Sequence, residues 1–274
     1  MQPPQQQRRA FLIGLAGLGL TLIVSPAQAR ITEIGDAINK AGRQRMLSQR
    51  MAKAYCQIGL NILPERSAKI LAASRKLFAA QLAELKAYAP TPDIKESYVQ
   101  LDQLWARYDA LLAGKPGQDA ARQITVLNED VLRIAHLATT QLELHAGSNV
   151  GRLINIAGRQ RMLSQRMAKF YMFRQWGIAT QEMNQEAEIA RREFISALDA
   201  LSKSRENDRL VNNELELARM QWMFFEQALK QQDTGRDAKT YTENVATTSE
   251  RLLEVMDRVT GHYARISAAG AGKG

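Results

Sequence analysis

Thirteen consecutive residues occur twice in this chain. Ala41 to Lys53 reads AGRQRMLSQRMAK, and Ala157 to Lys169 repeats it letter for letter, 116 positions on. The correspondence continues outside the block: Ile38-Asn39 matches Ile154-Asn155, Tyr55 matches Tyr171, Phe78 matches Phe194, Leu82 matches Leu198, Leu85 matches Leu201, and Asn128 matches Asn244. Trp105 and Trp222 fall one residue out of phase. A duplication on this scale constrains the fold more than any local propensity, because two copies of one sequence adopt one supersecondary unit twice. It divides the chain into repeat one, 31–146, and repeat two, 147–268.

Each repeat separates into four helical stretches. In the first they run Ile31–Leu63, stopped by Pro64, then Ser67–Tyr88, Asp93–Ala113 and Asp119–His145. In the second they run Ser148–Ile178, Gln181–Lys203, Asn207–Gln231 and Asp237–Ile266, before a small-residue tail from Ala268. Apolar residues recur at spacings of three and four, as in Leu47, Met51, Tyr55, Ile58 and Ile62. Only 7 prolines are present and 45% of residues are hydrophobic, enough for a packed helical core. Short connections make neighbouring helices antiparallel. The expected fold is therefore all-α: two tandem up-down four-helix bundles related by internal duplication. An even number of reversals sets the fifth helix parallel to the first, so the two repeated helices could face each other. The join at His145–Asn149 leaves a second arrangement open. Gly147 can end a helix and Ser148 can cap the next, or one continuous helix could set the repeats end to end.

Residues 1–29 read as a signal peptide. Arg8 and Arg9 precede an apolar run from Ala10 to Val24, Ser25-Pro26 breaks it, and Ala27-Gln28-Ala29 is an A-x-A cleavage site. The run falls short of the roughly 20 residues a membrane span needs. The Arg8-Arg9 pair also fits a twin-arginine leader, with an ordinary secretory signal as the alternative. Cleavage after Ala29 yields a periplasmic protein; an uncleaved N-terminus would instead anchor it to the membrane. The formal charge of +9 drops to +7 when the two leader arginines go. A basic surface suits anions or nucleic acid, but export, and the absence of any helix-turn-helix pattern, set nucleic acid aside. The single cysteine, Cys56, lies on an apolar stripe and reads as core.

On a helical wheel Arg45 lies among small and apolar residues. Ile34, Ile38, Ala41 and Ala52 fall within about 40° of it, with Gly42, Ser48 and Gln49 beside them. The larger stripe of Leu47, Met51 and Tyr55 is centred about 120° away, and Asn39, Arg43, Arg50 and Lys53 fall on the far side. The second repeat places Arg161 in the same way, among Val150, Ile154, Ala157 and Ala168. A stripe of Ala, Gly and Ser admits another helix at close range, and an unpaired cation in such a seam costs several kcal/mol. Two facing cations at ~4 Å repel by about 4 kcal/mol at an effective dielectric of ~20. A bound anion reverses that sign, and the planar guanidinium fork suits a planar oxyanion. The ligand-binding set is then Arg45 and Arg161, with Ser48, Gln49, Ser164 and Gln165 as neighbours. Asn39, Gly42, Arg50, Asn155, Gly158 and Arg166 support it within the motif. The competing reading has both arginines paired with acids on other helices, such as Glu84, Glu129 or Asp130.

These residues carry a resemblance. Ile38-Asn39-x-Ala41-Gly42-Arg43-Gln44-Arg45-Met46-Leu47-Ser48-Gln49-Arg50, with its copy from Ile154 to Arg166, resembles the signature of the PilJ-type domain, the N-terminal sensor region of type IV pili chemotaxis transducers. It is similar to the periplasmic domain of NarX-like nitrate/nitrite sensor kinases. The resemblance implies periplasmic four-helix bundles in which one arginine from each of two subunits clasps the anion; here Arg45 and Arg161 match, and a single chain would act as its own pseudo-dimer. Arg43-Gln44 departs from the nitrate sensors, which bears on nitrate specificity. The second membrane span, signalling coil and kinase of such proteins are not recognised in the sequence.

The functional expectation is a periplasmic ligand-binding protein that takes a small oxyanion, nitrate- or nitrite-like, at the seam between the repeats and signals to a membrane-bound transducer or transporter. The alternative is an envelope structural or interaction module with no small ligand. No enzyme, cofactor or metal site is expected: His136, His145 and His262 stand apart with no metal-ligand spacing, and no nucleophile sits beside a base in a recognisable motif.

Overall fold

The computed structural model describes residues 31–231 and 237–271; the leader assigned to residues 1–29, with its twin-arginine pair and cleavage point, lies outside them. Eight helices follow one another: α1 Ile34–Gly59, α2 Pro64–Tyr88, α3 Pro92–Ala113, α4 Gln118–Ala146, α5 Asn149–Gln175, α6 Gln181–Ser202, α7 Arg209–Lys230 and α8 Ala238–Ala271. Among the described residues no helix is long and apolar enough to cross a membrane.

Two helix ends differ from the periodicity. The apolar pattern runs to Leu63 and Ile178, but α1 stops at Gly59 and α5 at Gln175. In both, a left-handed residue closes the last turn: Asn61 (φ 56°) in the first copy, Gly177 (φ 71°) in the second. The next amide then reaches back five residues, Ile62 N–H to the Gln57 carbonyl (2.8 Å) and Ile178 N–H to the Phe173 carbonyl (3.0 Å). That closure satisfies carbonyls the helix would leave bare, and the apolar residue after it tucks inward; Ile62 and Ile178 are accordingly buried. Pro64, expected as a stop, opens α2 at its first turn, where a missing N–H costs nothing. At the other end, α8 runs through the expected tail to Ala271.

The join between repeats is a true break. Gly147 (φ 58°) turns out of α4, and Ser148 caps α5 by accepting from the Gly151 amide at 3.1 Å. The chain reverses there, which excludes the continuous helix and lays the repeats side by side.

Within repeat one α1 packs on α2 and α4, with α3 on α4; repeat two matches it with α5 on α6 and α8, and α7 on α8. The copies agree in their aromatic cores: Phe78 stacks on Trp105 (4.3 Å) as Phe194 stacks on Trp222 (4.5 Å), so the one-residue slip in sequence is absorbed between the elements. Cys56 is buried in this core, and burial pushes its thiol pKa up.

The most extensive helix contact in the molecule joins α1 to α5. They run parallel and in register: Gly42 backs onto Gly158, Gly35 lies against Ile154, and Gly59 lies against the ring of Trp176. Each motif helix is thus enclosed by its own bundle and by the other. This overturns the expectation that Asn39 and Lys53 occupy an outward face. The face opposite the primary core stripe meets the second repeat rather than water, and Lys53 is wholly buried with Asn39 9% exposed.

Candidate functional site

The two arginines of the repeated block meet where α1 and α5 cross. Arg45 Nη2 donates to Asn155 Oδ1 (2.6 Å) and to the Asn155 carbonyl (3.2 Å), while its Nη1 faces His136 Nδ1 on α4 at 3.1 Å. Arg161 Nη2 donates to the Asn39 carbonyl (3.0 Å), and its Nη1 donates to the Asp257 carboxylate on α8, which Arg43 also holds at 2.9 Å. Both guanidinium tips reach one point: a Cβ built on Gly42 would stand 3.3 Å from Arg45 Nη2 and 3.4 Å from Arg161 Nη2. Both side chains are 0% exposed, and among the described residues the Nε of each has no hydrogen-bond partner.

Burial dominates their electrostatics. Removal from water, with the positive charges of Arg159 and Arg161 nearby, lowers the Arg45 pKa to about 9. Burial lowers Arg161 to about 10, against the opposing pull of Asp257. The halves of the seam are therefore unequal: among the described residues Arg161 touches a carboxylate and Arg45 does not. The acids considered as partners are taken elsewhere, Glu84 by Lys40, Glu129 by Arg166 and Lys169, and Asp130 by Arg133.

Glycine at the crossing lets the two arginine tips share it. A methyl on Gly42 would sit 3.7 Å from the Gly158 Cα, an ordinary contact, and 3.3 Å from Arg45 Nη2, so that the flexible arginine tip must give by a few tenths of an ångström; larger groups would occupy the space of the guanidiniums. Gly42→Ala is therefore expected to change stability by less than about 1 kcal/mol, since helix propensity favours alanine. Gly42→Val is expected to cost about 1–3 kcal/mol by overpacking. Urea denaturation of both variants checks this; a valine variant as stable as wild type would show that the seam has slack.

The neighbours expected beside the arginines are hydrogen bonded within the fold. Ser48 and Ser164 donate to the carbonyls of Arg45 and Arg161 one turn back (2.8 and 2.9 Å). Gln49 Nε2 donates to Ser48 Oγ (3.1 Å) and Asn128 Oδ1 (2.9 Å), and Gln165 Nε2 to the Ser249 carbonyl (2.9 Å). Of the supporting residues, Asn39 and Asn155 contact the opposite arginine and Gly42 and Gly158 form the crossing. Arg50 and Arg166 lie further along, on Glu250 and Glu129.

Sequence reasoning missed a second layer of buried charge, two turns beyond the arginines. Lys53 Nζ donates to Gln165 Oε1 (2.7 Å), Ser249 Oγ (3.0 Å) and Glu250 Oε1 (2.6 Å). Its copy, Lys169, donates to Asn128 Oδ1 (2.8 Å) and Glu129 Oε1 (2.7 Å). The lysines were visible as the last letter of the repeated block. Their acids were not, because the last helix of the second repeat is shifted relative to the first: Asn128 corresponds in space to Ser249 rather than to Asn244, and Glu129 to Glu250. The same shift hid His136 and Asp257, which occupy equivalent places against the two arginines.

A family model described as PilJ, the type IV pili methyl-accepting chemotaxis transducer N-terminal region, matches residues 30–129 and again 144–248. No protein of curated function and no solved structure matches the chain.

Proposed function

Since the chain belongs to the PilJ family, the type IV pili methyl-accepting chemotaxis transducer N-terminal region, in two copies, we propose that it is a periplasmic sensory protein that takes a small oxyanion at the seam between its repeats. Occupancy is reported to a membrane-bound transducer or transporter. The family is one of sensory modules of the chemotaxis-transducer type, and its N-terminal regions work beside a membrane-associated signalling partner. The observation that carries the ligand is Arg45: a guanidinium with no exposure and, among the described residues, no carboxylate in contact, beside a second buried guanidinium. Such a charge is costly to hold, and an anion bound against the guanidiniums offsets their repulsion. Nitrate, nitrite and short carboxylates match the planar fork.

The test is thermal unfolding of the purified protein at constant ionic strength, with nitrate, nitrite or a carboxylate replacing chloride. A ligand of the folded state at 100 times its Kd adds about 2.7 kcal/mol, a rise of roughly 5–11 °C for a chain of this size. The Arg45→Ala plus Arg161→Ala variant is expected to lose the rise. A melting temperature indifferent to every anion would remove this reading. It would favour an envelope docking module instead, for which the outward face of α7 offers Met220, Met223 and Phe224, all more than half exposed.

A further inference from the structure

The pseudo-twofold seam is uneven at the partners of its two central arginines. Around it the copies agree: Lys53 and Lys169 each hold a glutamate, and Arg50 and Arg166 each hold that same glutamate. Two turns along α4 and α8 from those glutamates, the equivalent places hold different chemistry. Asp257 presents a carboxylate to Arg161 and to Arg43. His136 presents to Arg45 a ring nitrogen, which must be the unprotonated one because arginine can only donate. Burial, with the charges of Arg45 and Arg159, holds the His136 imidazole below its usual range, so it is neutral at pH 7.

The surroundings differ as well. His136 faces solvent and lines a cavity of about 220 Å³ between α4, α5 and α6, with Arg159, Arg166 and Leu163 among its walls. Arg159 is held by Glu193, and Arg166 by Glu129 and Glu186. Behind the histidine stands the fully buried Arg45, in contact with no carboxylate among the described residues. On the opposite side the corresponding approach is blocked by Asp257, whose negative charge already sits where a ligand would have to bind.

We infer that the anion site is one-sided: a small monovalent oxyanion enters through the α4–α5–α6 cavity, displaces His136 from Arg45, and mirrors there the carboxylate that Asp257 supplies to Arg161. His136 is then the residue that sets access, and Asp257 a built-in anion that makes one ligand suffice for two arginines. A space of about 220 Å³ readily admits nitrate, nitrite or formate. The inference rests on the anion reading above and adds which half of the seam the ligand takes.

The experiment uses the purified protein with nitrate, nitrite and formate against chloride at constant ionic strength, for wild type, His136→Asp and His136→Ala. Aspartate at 136 places a second fixed carboxylate on Arg45. That variant is expected to melt above wild type in chloride and to lose at least tenfold in apparent affinity for the responding anion. His136→Ala is expected to keep the response, at equal or higher affinity. As a readout that needs no variant, the proton NMR signals of the 3 histidines are followed during the titration. The His136 signal should move, and its pKa should rise as Arg45 is neutralised, while those of His145 and His262 stay in place. If His136→Asp responds as wild type does, if His136→Ala loses the response, or if the His136 signal is unmoved while the melting temperature rises, the one-sided site is overturned and the anion reading survives. If wild type responds to none of the three, both fail together.

Discussion

Replacing Glu250 by alanine is expected to destabilise the protein by about 3–5 kcal/mol, the range found when one partner of a buried ion pair is removed. Glu250 is 4% exposed and serves two cations at once, Lys53 and Arg50. Lys53 is wholly enclosed, and two of its three acceptors, Gln165 Oε1 and Ser249 Oγ, are neutral. Without the carboxylate its charge has no water and no counterion, and its pKa, already lowered by burial, must drop further. The cost lies in the stranded cation rather than in a lost attraction. Lys53→Met combined with Glu250→Gln is therefore expected to recover most of the loss. Urea denaturation of the two variants and wild type measures both effects. A single Glu250→Ala variant within 1 kcal/mol of wild type would mean that water reaches Lys53.

The second large effect is on the acid side. Coulombic attraction from Lys53, with Arg50 hydrogen bonded to the carboxylate, outweighs burial and holds Glu250 at about 2. Arg161 and Arg43 likewise outweigh burial at Asp257 and hold it at about 2, and Lys169 with Arg166 lowers Glu129. A carboxylate whose folded pKa is depressed stabilises the fold above its unfolded pKa, and that contribution disappears as pH falls through the folded value. For Glu250 this amounts to about 3 kcal/mol, absent by pH ~2. Melting temperature should therefore be flat from pH 7 to about 5 on account of these groups and then fall steeply, with a shallower fall in the Glu250→Gln variant. Lys169 acts in the other direction. Burial outweighs Glu129 and lowers it to about 8, so the unfolded chain binds the extra proton between pH 8 and lysine's usual value near 10.4, and stability gains from this group as pH rises through that window. An acid limb identical in wild type and Glu250→Gln would place the acid sensitivity elsewhere.

Much of this molecule was legible in one dimension. Identical letters at 41–53 and 157–169 implied two copies of one unit. Apolar spacing at three and four gave helices, and a cation among Ala, Gly and Ser marked Arg45 and Arg161 as seam residues. Each of these is a local property, carried by neighbours within a turn or two of the chain. Gly147-Ser148 left a break and a continuous helix both open, and the structure takes the break. The ends of α1 and α5 were harder to place, because Asn61 and Gly177 close their helices through backbone conformation while the apolar pattern runs on.

Tertiary packing alone decided which face of the motif helix meets water, and the answer is almost none of it. A wheel assumes one core, whereas α1 and α5 each serve two, so Lys53 and Asn39 moved from an expected surface to the interior. Packing also decided the partners of every buried charge. Glu250, Glu129, Asp257 and His136 come from helices far along the chain, with the copies shifted against each other, and an ion pair between distant helices leaves no periodic trace in sequence. Whether a buried arginine meets a carboxylate or a neutral ring is a matter of a few ångströms across a helix interface. That difference, Asp257 on one side and His136 on the other, turns a symmetrical duplication into an unsymmetrical seam.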